Sequence, residues 1–182
     1  MDFWTIIERD STKPFNVEAI AAKLESSLKK MPDSDVLEFC NEFDKKMNES
    51  YTWGLWGVAY LINGGCSDDS FMDFRSSLIA SGRTVFETVI SDPESLIALD
   101  KDHLLALFEE GFLYCGSSAY ESLTGRQPER VVSPLESPTG QEWEETASSL
   151  RTGFPKVWEI YGWSEEPEEI SPPIKKPWWK LW

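Results

Sequence analysis

The chain has 182 residues, 41% of them hydrophobic and nine of them Trp, with 17 basic against 32 acidic side chains and a net charge of −15. The length suits one domain, and the apolar share suits a packed core rather than a disordered chain. The charge argues against nucleic-acid binding, which needs clustered Lys and Arg to meet phosphate. It serves either solubility through self-repulsion or a surface that faces a basic protein partner.

Cys40, Cys66 and Cys115 are too few, and odd in number, to form a disulfide framework, and they fit a reducing compartment. The start, MDFWTIIERD, has acids around a short apolar stretch, unlike the basic start and long apolar run of a secretion signal. No segment has the 18 or so consecutive apolar residues that a membrane-spanning helix needs. The expectation is a cytoplasmic protein with no transmembrane segment.

In chain order, Phe3, Trp4, Ile6 and Ile7 predict a short first helix up to Arg9. Asn16 is placed to cap the next, with Phe15 as a hydrophobic staple onto Ile20. Val17, Ile20, Ala21, Leu24, Leu28 and Met31 keep its 3.6-residue period. Pro32 breaks the pattern, Asp33 can cap a third helix, and Val36, Phe39, Cys40, Phe43 and Met47 form that helix's stripe.

Thr52 to Asn63 is apolar on nearly every face, the mark of a helix buried on all sides. It reads as the central helix, ended by Gly64 and Gly65. Ser67 then caps a helix with Phe71, Phe74, Leu78 and Ile79 inward, closed by Gly82. A short helix around Val85 to Ile90 stops at Asp92-Pro93, and one long helix is expected from about Asp102 to Leu123, ending at Gly125.

Residues 126–138 read as loop. Thr139 and Glu142 form a capping box for a helix around Trp143, and a last helix centres on Val157, Trp158 and Tyr161. From Glu165 the composition changes. Four Glu are followed by Pro172, Pro173 and Pro177, then by Lys175, Lys176 and Lys180 among Trp178, Trp179 and Trp182. The prolines favour an extended backbone over a helix.

The run FDKKMNESYTWGLWGVAYLINGGCSDD (residues 43–69), then FMDFRSSLIASGR and SDPESL, resembles the domain-of-unknown-function family 4240. Tyr120-Glu121, Thr124-Gly125 and PTGQEW extend the likeness, which covers about residues 40–145. The resemblance implies a bacterial, helical, intracellular domain and carries no established activity. Two positions depart from it: Gly54 stands where a polar residue is expected, and Ser77 where an aromatic is common.

Four groups carry possible chemistry. Cys66 precedes a helix N-terminus, where a thiolate is favoured, but Asp68 and Asp69 oppose ionisation and the only histidine, His103, is distant. The plainer reading is a small packed residue. Asp69 and Asp73 stand four apart and, with Glu109 or Glu110, can be read as a hard-cation site or, more simply, as helix-capping acids. One His and three scattered Cys give no zinc spacing.

Tyr51, Trp53, Trp56, Tyr60 and Asn63, with Arg75, offer convergent polar groups in an apolar setting, either as a ligand pocket or as core. Arg75 is expected to pair with Asp68, Asp69 or Asp73. Trp178, Trp179 and Trp182 form an aromatic, basic patch suited to a protein partner, to a membrane surface, or to docking on the acidic domain itself. No phosphate-binding glycine loop or nucleophile elbow is present.

The sequence therefore predicts an all-α fold: one multi-helix domain of seven to nine helices over residues 1–164, packed around the Trp-rich helix, with an extended C-terminal tail over 165–182. No catalytic residue, metal or cofactor is assigned. The functional expectation is a non-enzymatic acidic binding or regulatory protein, immunity- or inhibitor-like toward a basic partner. The alternative is a small-ligand binder or enzyme with its site near the Gly64–Arg75 turn.

Overall fold

The computed structural model describes residues 2–163. Ten α-helices and one 3-10 turn make up the described residues, with no strand among them, more pieces than the seven to nine helices expected. No helix among them is long and apolar enough to cross a membrane.

Local capping sets most boundaries. α1 (Phe3–Arg9) starts at Asp2, whose carboxylate accepts the Thr5 N–H at 3.0 Å. α2 (Val17–Leu28) starts at Asn16, which accepts from Ala19 N–H at 2.7 Å. Phe15, the expected staple, lays its ring on His103, with centroids 3.9 Å apart. α3 (Asp33–Glu49) follows Pro32, so Asp33 is its first helical residue rather than its cap. α4 (Trp53–Asn63) is capped by Thr52 and ends on Gly64 at φ 66°. α5 (Asp68–Ala80) is capped by Ser67.

Gly82, at φ 92°, turns the chain from α5 into α6 (Arg83–Ser91), and the 3-10 turn (Pro93–Ala98) follows. α4 lies between α5 on one side and the 3-10 turn, α9 (Ala147–Gly153) and α10 (Pro155–Tyr161) on the other, so the Trp-rich helix joins the two halves of the core. α5 meets α1, α2, α3, α4 and α6, and its inner residues Phe71, Phe74, Leu78 and Ile79 are fully buried.

Two expectations fail locally. The single helix from Asp102 to Leu123 is two helices, α7 (Lys101–Ala106) and α8 (Cys115–Thr124). Gly111 lies between them at φ 116°, a conformation that favours glycine. The break lets Leu107 and Phe112 both enter the core, and the buried Ser77 hydroxyl donates to the Glu109 carbonyl at 3.2 Å. α8 then packs on α2 and α3.

The capping box at Thr139 and Glu142 starts no helix. Thr139 instead bridges to α4's entrance: its N–H donates to the Tyr51 carbonyl, and its carbonyl accepts from Trp53 N–H, both at 2.9 Å. The helix begins later, as α9 (Ala147–Gly153) capped by Thr146, and α10 (Pro155–Tyr161) follows. Trp143 stays in the connecting segment because its indole N–H is held by the Trp53 carbonyl at 2.9 Å.

Candidate functional site

The aromatic set named from sequence does converge, but on itself. Trp53 stacks on Trp56 (5.5 Å between ring centroids), Trp56 stacks on Phe71 (4.9 Å), and Trp143 closes the outer side against Trp53 and Tyr60. Their polar atoms are used inside the protein. Trp56 Nε1 donates to the Cys66 carbonyl at 2.9 Å, and the Tyr60 hydroxyl donates to Glu145, a bond that pushes the phenol up to about 12. Asn63 is exposed and donates to the Gly65 carbonyl at 3.0 Å. Trp53, Trp56, Tyr60 and Asn63 thus form a packed platform and its end cap. Buried polar groups with internal partners have little left for a ligand.

Arg75 corrects a second expectation. It pairs with none of Asp68, Asp69 or Asp73. Its Nη1 donates to the Met47 carbonyl at 2.7 Å, and its guanidinium lies over the rings of Tyr51 (4.5 Å) and Phe71 (5.1 Å). Met47 is in the last turn of α3, where free carbonyls and the negative end of the helix dipole favour a cation. The helix terminus takes the place that a carboxylate was expected to fill. Burial lowers the Arg75 pKa to about 10, which leaves it charged at neutral pH. Its Nε has no hydrogen-bond partner among the described residues.

Arg75 and Tyr51 line the wall of an open groove of about 510 Å³ that runs between α3, the start of α5, the segment between α7 and α8, and the loop after α8. Its floor is apolar and adaptable: Phe43, Met47, Met72 and Leu113. Its rim carries Asp68, Asp69 and the paired Asp44 and Arg130, with exposed Tyr114 and Leu135 at its edges.

The loop wall is fixed by one polar stripe of α3. Asn41 Oδ1 accepts from Val131 N–H at 3.0 Å, Asp44 pairs with Arg130, and Asn48 donates to the Ser133 carbonyl at 2.8 Å while accepting from Leu135 N–H at 3.3 Å. The sequence reading missed Asp44, Met47, Asn48, Met72, Arg130 and Leu135. The available signal was the polar spacing Asn41, Asp44, Asn48 beside an apolar stripe, which means a helix holding something on its second face.

The other candidates supply less. Cys66 is half-buried, and burial pushes its thiol up to about 12. Cys40 is likewise raised to about 11 and Cys115 to about 12, so none is poised as a thiolate. His103 shares a 2.9 Å hydrogen bond with the Ser81 hydroxyl, and burial lowers its pKa. Burial raises the Asp73 pKa, with help from Glu110 and Asp69. No group of three His, Cys, Asp or Glu among the described residues is arranged to hold a metal ion.

A second cavity, about 780 Å³, lies beside Thr52 and the segment from Thr139 to Phe154, and the departing residue Gly54 lines it. The other departing residue, Ser77, is buried under Glu109 and lines neither space. Trp178, Trp179 and Trp182 lie outside the described residues.

The family model described as "Protein of unknown function (DUF4240)" matches residues 1–122. The chain belongs to this family. The match reaches further toward the N-terminus than the expected residues 40–145, and it stops before the loop, Trp143 and PTGQEW. It therefore includes the α3 and α5 walls of the groove and leaves the loop wall to this chain's own sequence. No curated protein and no solved structure matches the chain.

Proposed function

We propose that this is a non-enzymatic, cytoplasmic binding protein of bacterial type that offers the groove between α3 and α5 to a basic protein partner, as an inhibitor or immunity protein does. The observation that carries the reading is one open groove with a methionine and aromatic floor, where Asp68 and Asp69 are exposed and unpaired among the described residues while Asp44 and Arg130 pair with each other and Arg75 is engaged by Met47 and Tyr51. Apolar floors of this kind supply affinity, and rim charges supply attraction at a distance and choice of partner. The net charge of −15 adds to that attraction for any basic molecule. The states of the thiols and of His103 favour binding over covalent catalysis.

The test is affinity capture from the protein's own cells. Full-length bait is compared with an Asp68→Asn/Asp69→Asn bait, which keeps the Ser67 cap and removes the rim charge. The expected result is a basic partner whose retention falls at least about fivefold in the neutralised bait and in raised salt. Equal retention by both baits would move the interface away from the groove.

A second reading is favoured by the unpartnered Nε of Arg75 and by a volume within the ~300–1,000 Å³ range of small-molecule pockets. In that reading the occupant is a small molecule with an acceptor for Arg75. Its test is native mass spectrometry of the purified chain, which would retain the added mass.

A further inference from the structure

We propose that residues 175–182 of this chain, Lys-Lys-Pro-Trp-Trp-Lys-Leu-Trp, fold back into the same groove and occupy it until a partner displaces them. The inference rests on the reading of the groove as the binding surface and adds its regulation. Three observations select this occupant.

The first is charge. The segment has three lysines and no acidic side chain, in a chain of net charge −15, and the groove presents Asp68 and Asp69, both exposed; of the two arginines that also line it, Arg130 is paired with Asp44 and Arg75 is held by the Met47 carbonyl. Lysines of the segment and acids of the rim attract one another without a buried ion pair.

The second is shape and polarity. The floor formed by Phe43, Met47, Met72 and Leu113 lies open, and Tyr114 is 62% exposed at its edge. Flat indoles on flexible methionines form favourable sulfur–aromatic contacts, and Trp is the side chain that most often anchors such an interface.

The third is reach. Eleven residues lie between Trp163, the last described residue, and Lys175, and an extended chain of that length spans up to about 40 Å. A domain of this size has a radius of gyration of about 15 Å and so a diameter of about 40 Å, which makes the tether about as long as the domain is wide.

A tethered segment competes with a free copy of itself. At an effective concentration of about 1 mM and a free-peptide Kd of about 10 μM, the intact chain binds added peptide about 100-fold more weakly than a chain whose own segment is disabled. The probe is a fluorescein-labelled peptide of residues 171–182, read by polarisation. It is titrated into the full-length wild type and into the full-length Trp178→Ser/Trp179→Ser/Trp182→Ser variant.

The expected result is tight binding by the triple variant, about 100-fold weaker binding by wild type, and loss of binding when Met72→Glu or Asp68→Asn/Asp69→Asn is added to the triple variant. Hydrogen–deuterium exchange should also rise at residues 128–135 in the triple variant relative to wild type. Failure of the triple variant to bind peptide, or equal binding with and without the groove substitutions, overturns the proposal. So does a dimer, seen by sedimentation, that the triple substitution dissolves, because the groove would then be filled by a second copy.

The two readings fail separately. Partner capture sensitive to Asp68 and Asp69 with no peptide binding leaves the function standing and removes the self-docking. Peptide binding at the groove, with partner capture insensitive to it, does the reverse.

Discussion

Gly57 is the tightest point between α4 and α10, and adding one methyl there tests the packing of the aromatic platform. A Cβ at position 57 would stand 2.2 Å from Cε2 and Cζ of Phe154 and 2.9 Å from the indole nitrogen of Trp143. Carbon atoms pack at about 3.5–4 Å, so the Phe154 ring must retreat by more than 1 Å or so. Phe154 is only 8% exposed and has little room to do so.

Overpacking of this size costs up to about 3 kcal/mol. Disturbing the Trp143–Trp53 hydrogen bond costs about 1 kcal/mol, and the helix propensity of Ala over Gly returns about 1 kcal/mol. The net loss of about 2–3 kcal/mol corresponds to a Tm lower by about 5–10 °C for a chain of this length. Gly54→Ala is the control in the same helix. Its Cβ meets nothing closer than Pro93 Cγ at 3.8 Å, so it should hold or slightly raise Tm. Thermal melts of both full-length variants by circular dichroism decide the matter. A Gly57→Ala melt equal to or above that of Gly54→Ala would refute the close approach of α4 to Phe154.

The raised thiols predict slow thiol–disulfide exchange. At pH 8 no cysteine of the folded chain should react with an aromatic disulfide reagent at more than about a hundredth of the rate of a free thiol, and all three should react once the chain is unfolded. Fast labelling of Cys66 would reopen the reading of that turn as a reactive site. For His103 the folded pKa lies below its ordinary value, so the unfolded chain binds the proton more readily. Stability should therefore be full above about pH 6.5 and fall as pH drops from there toward the lower folded pKa. Denaturant midpoints measured from pH 7.5 to 5 should show this slope in wild type and a shallower one in His103→Gln; equal slopes would contradict the assignment.

The fold was legible where local chemistry and tertiary packing agree. Asn16 and Ser67 cap helices as their side chains dictate, and the apolar periods of α2, α3 and α5 all face the core. It was misread where a distant contact wins. The period from Asp102 to Leu123 continues past Gly111, but its left-handed backbone and the burial of Phe112 divide the helix. Thr139 and Glu142 look like a capping box, but Thr139 is spent on Tyr51 and Trp53.

The candidate site follows the same rule. Tyr51, Asp68, Asp69 and Arg75 do line the groove, whereas Trp53, Trp56 and Tyr60 are engaged by one another and by Cys66, Trp143 and Glu145, partners that no local pattern announces. The α3 residues that build the wall escaped notice because their partners are 85–90 positions away in the chain.

Site-specific photo-crosslinking from the groove shows whether a basic protein sits in it. A benzophenone side chain placed at Met72, on the groove floor, is compared with one at Ile160, 59% exposed on α10. In living cells the account predicts an adduct from position 72 with a basic protein, weakened by Asp68→Asn/Asp69→Asn, and no matching adduct from position 160. Adducts from position 160 alone, or none from position 72 with any other protein, would contradict the account.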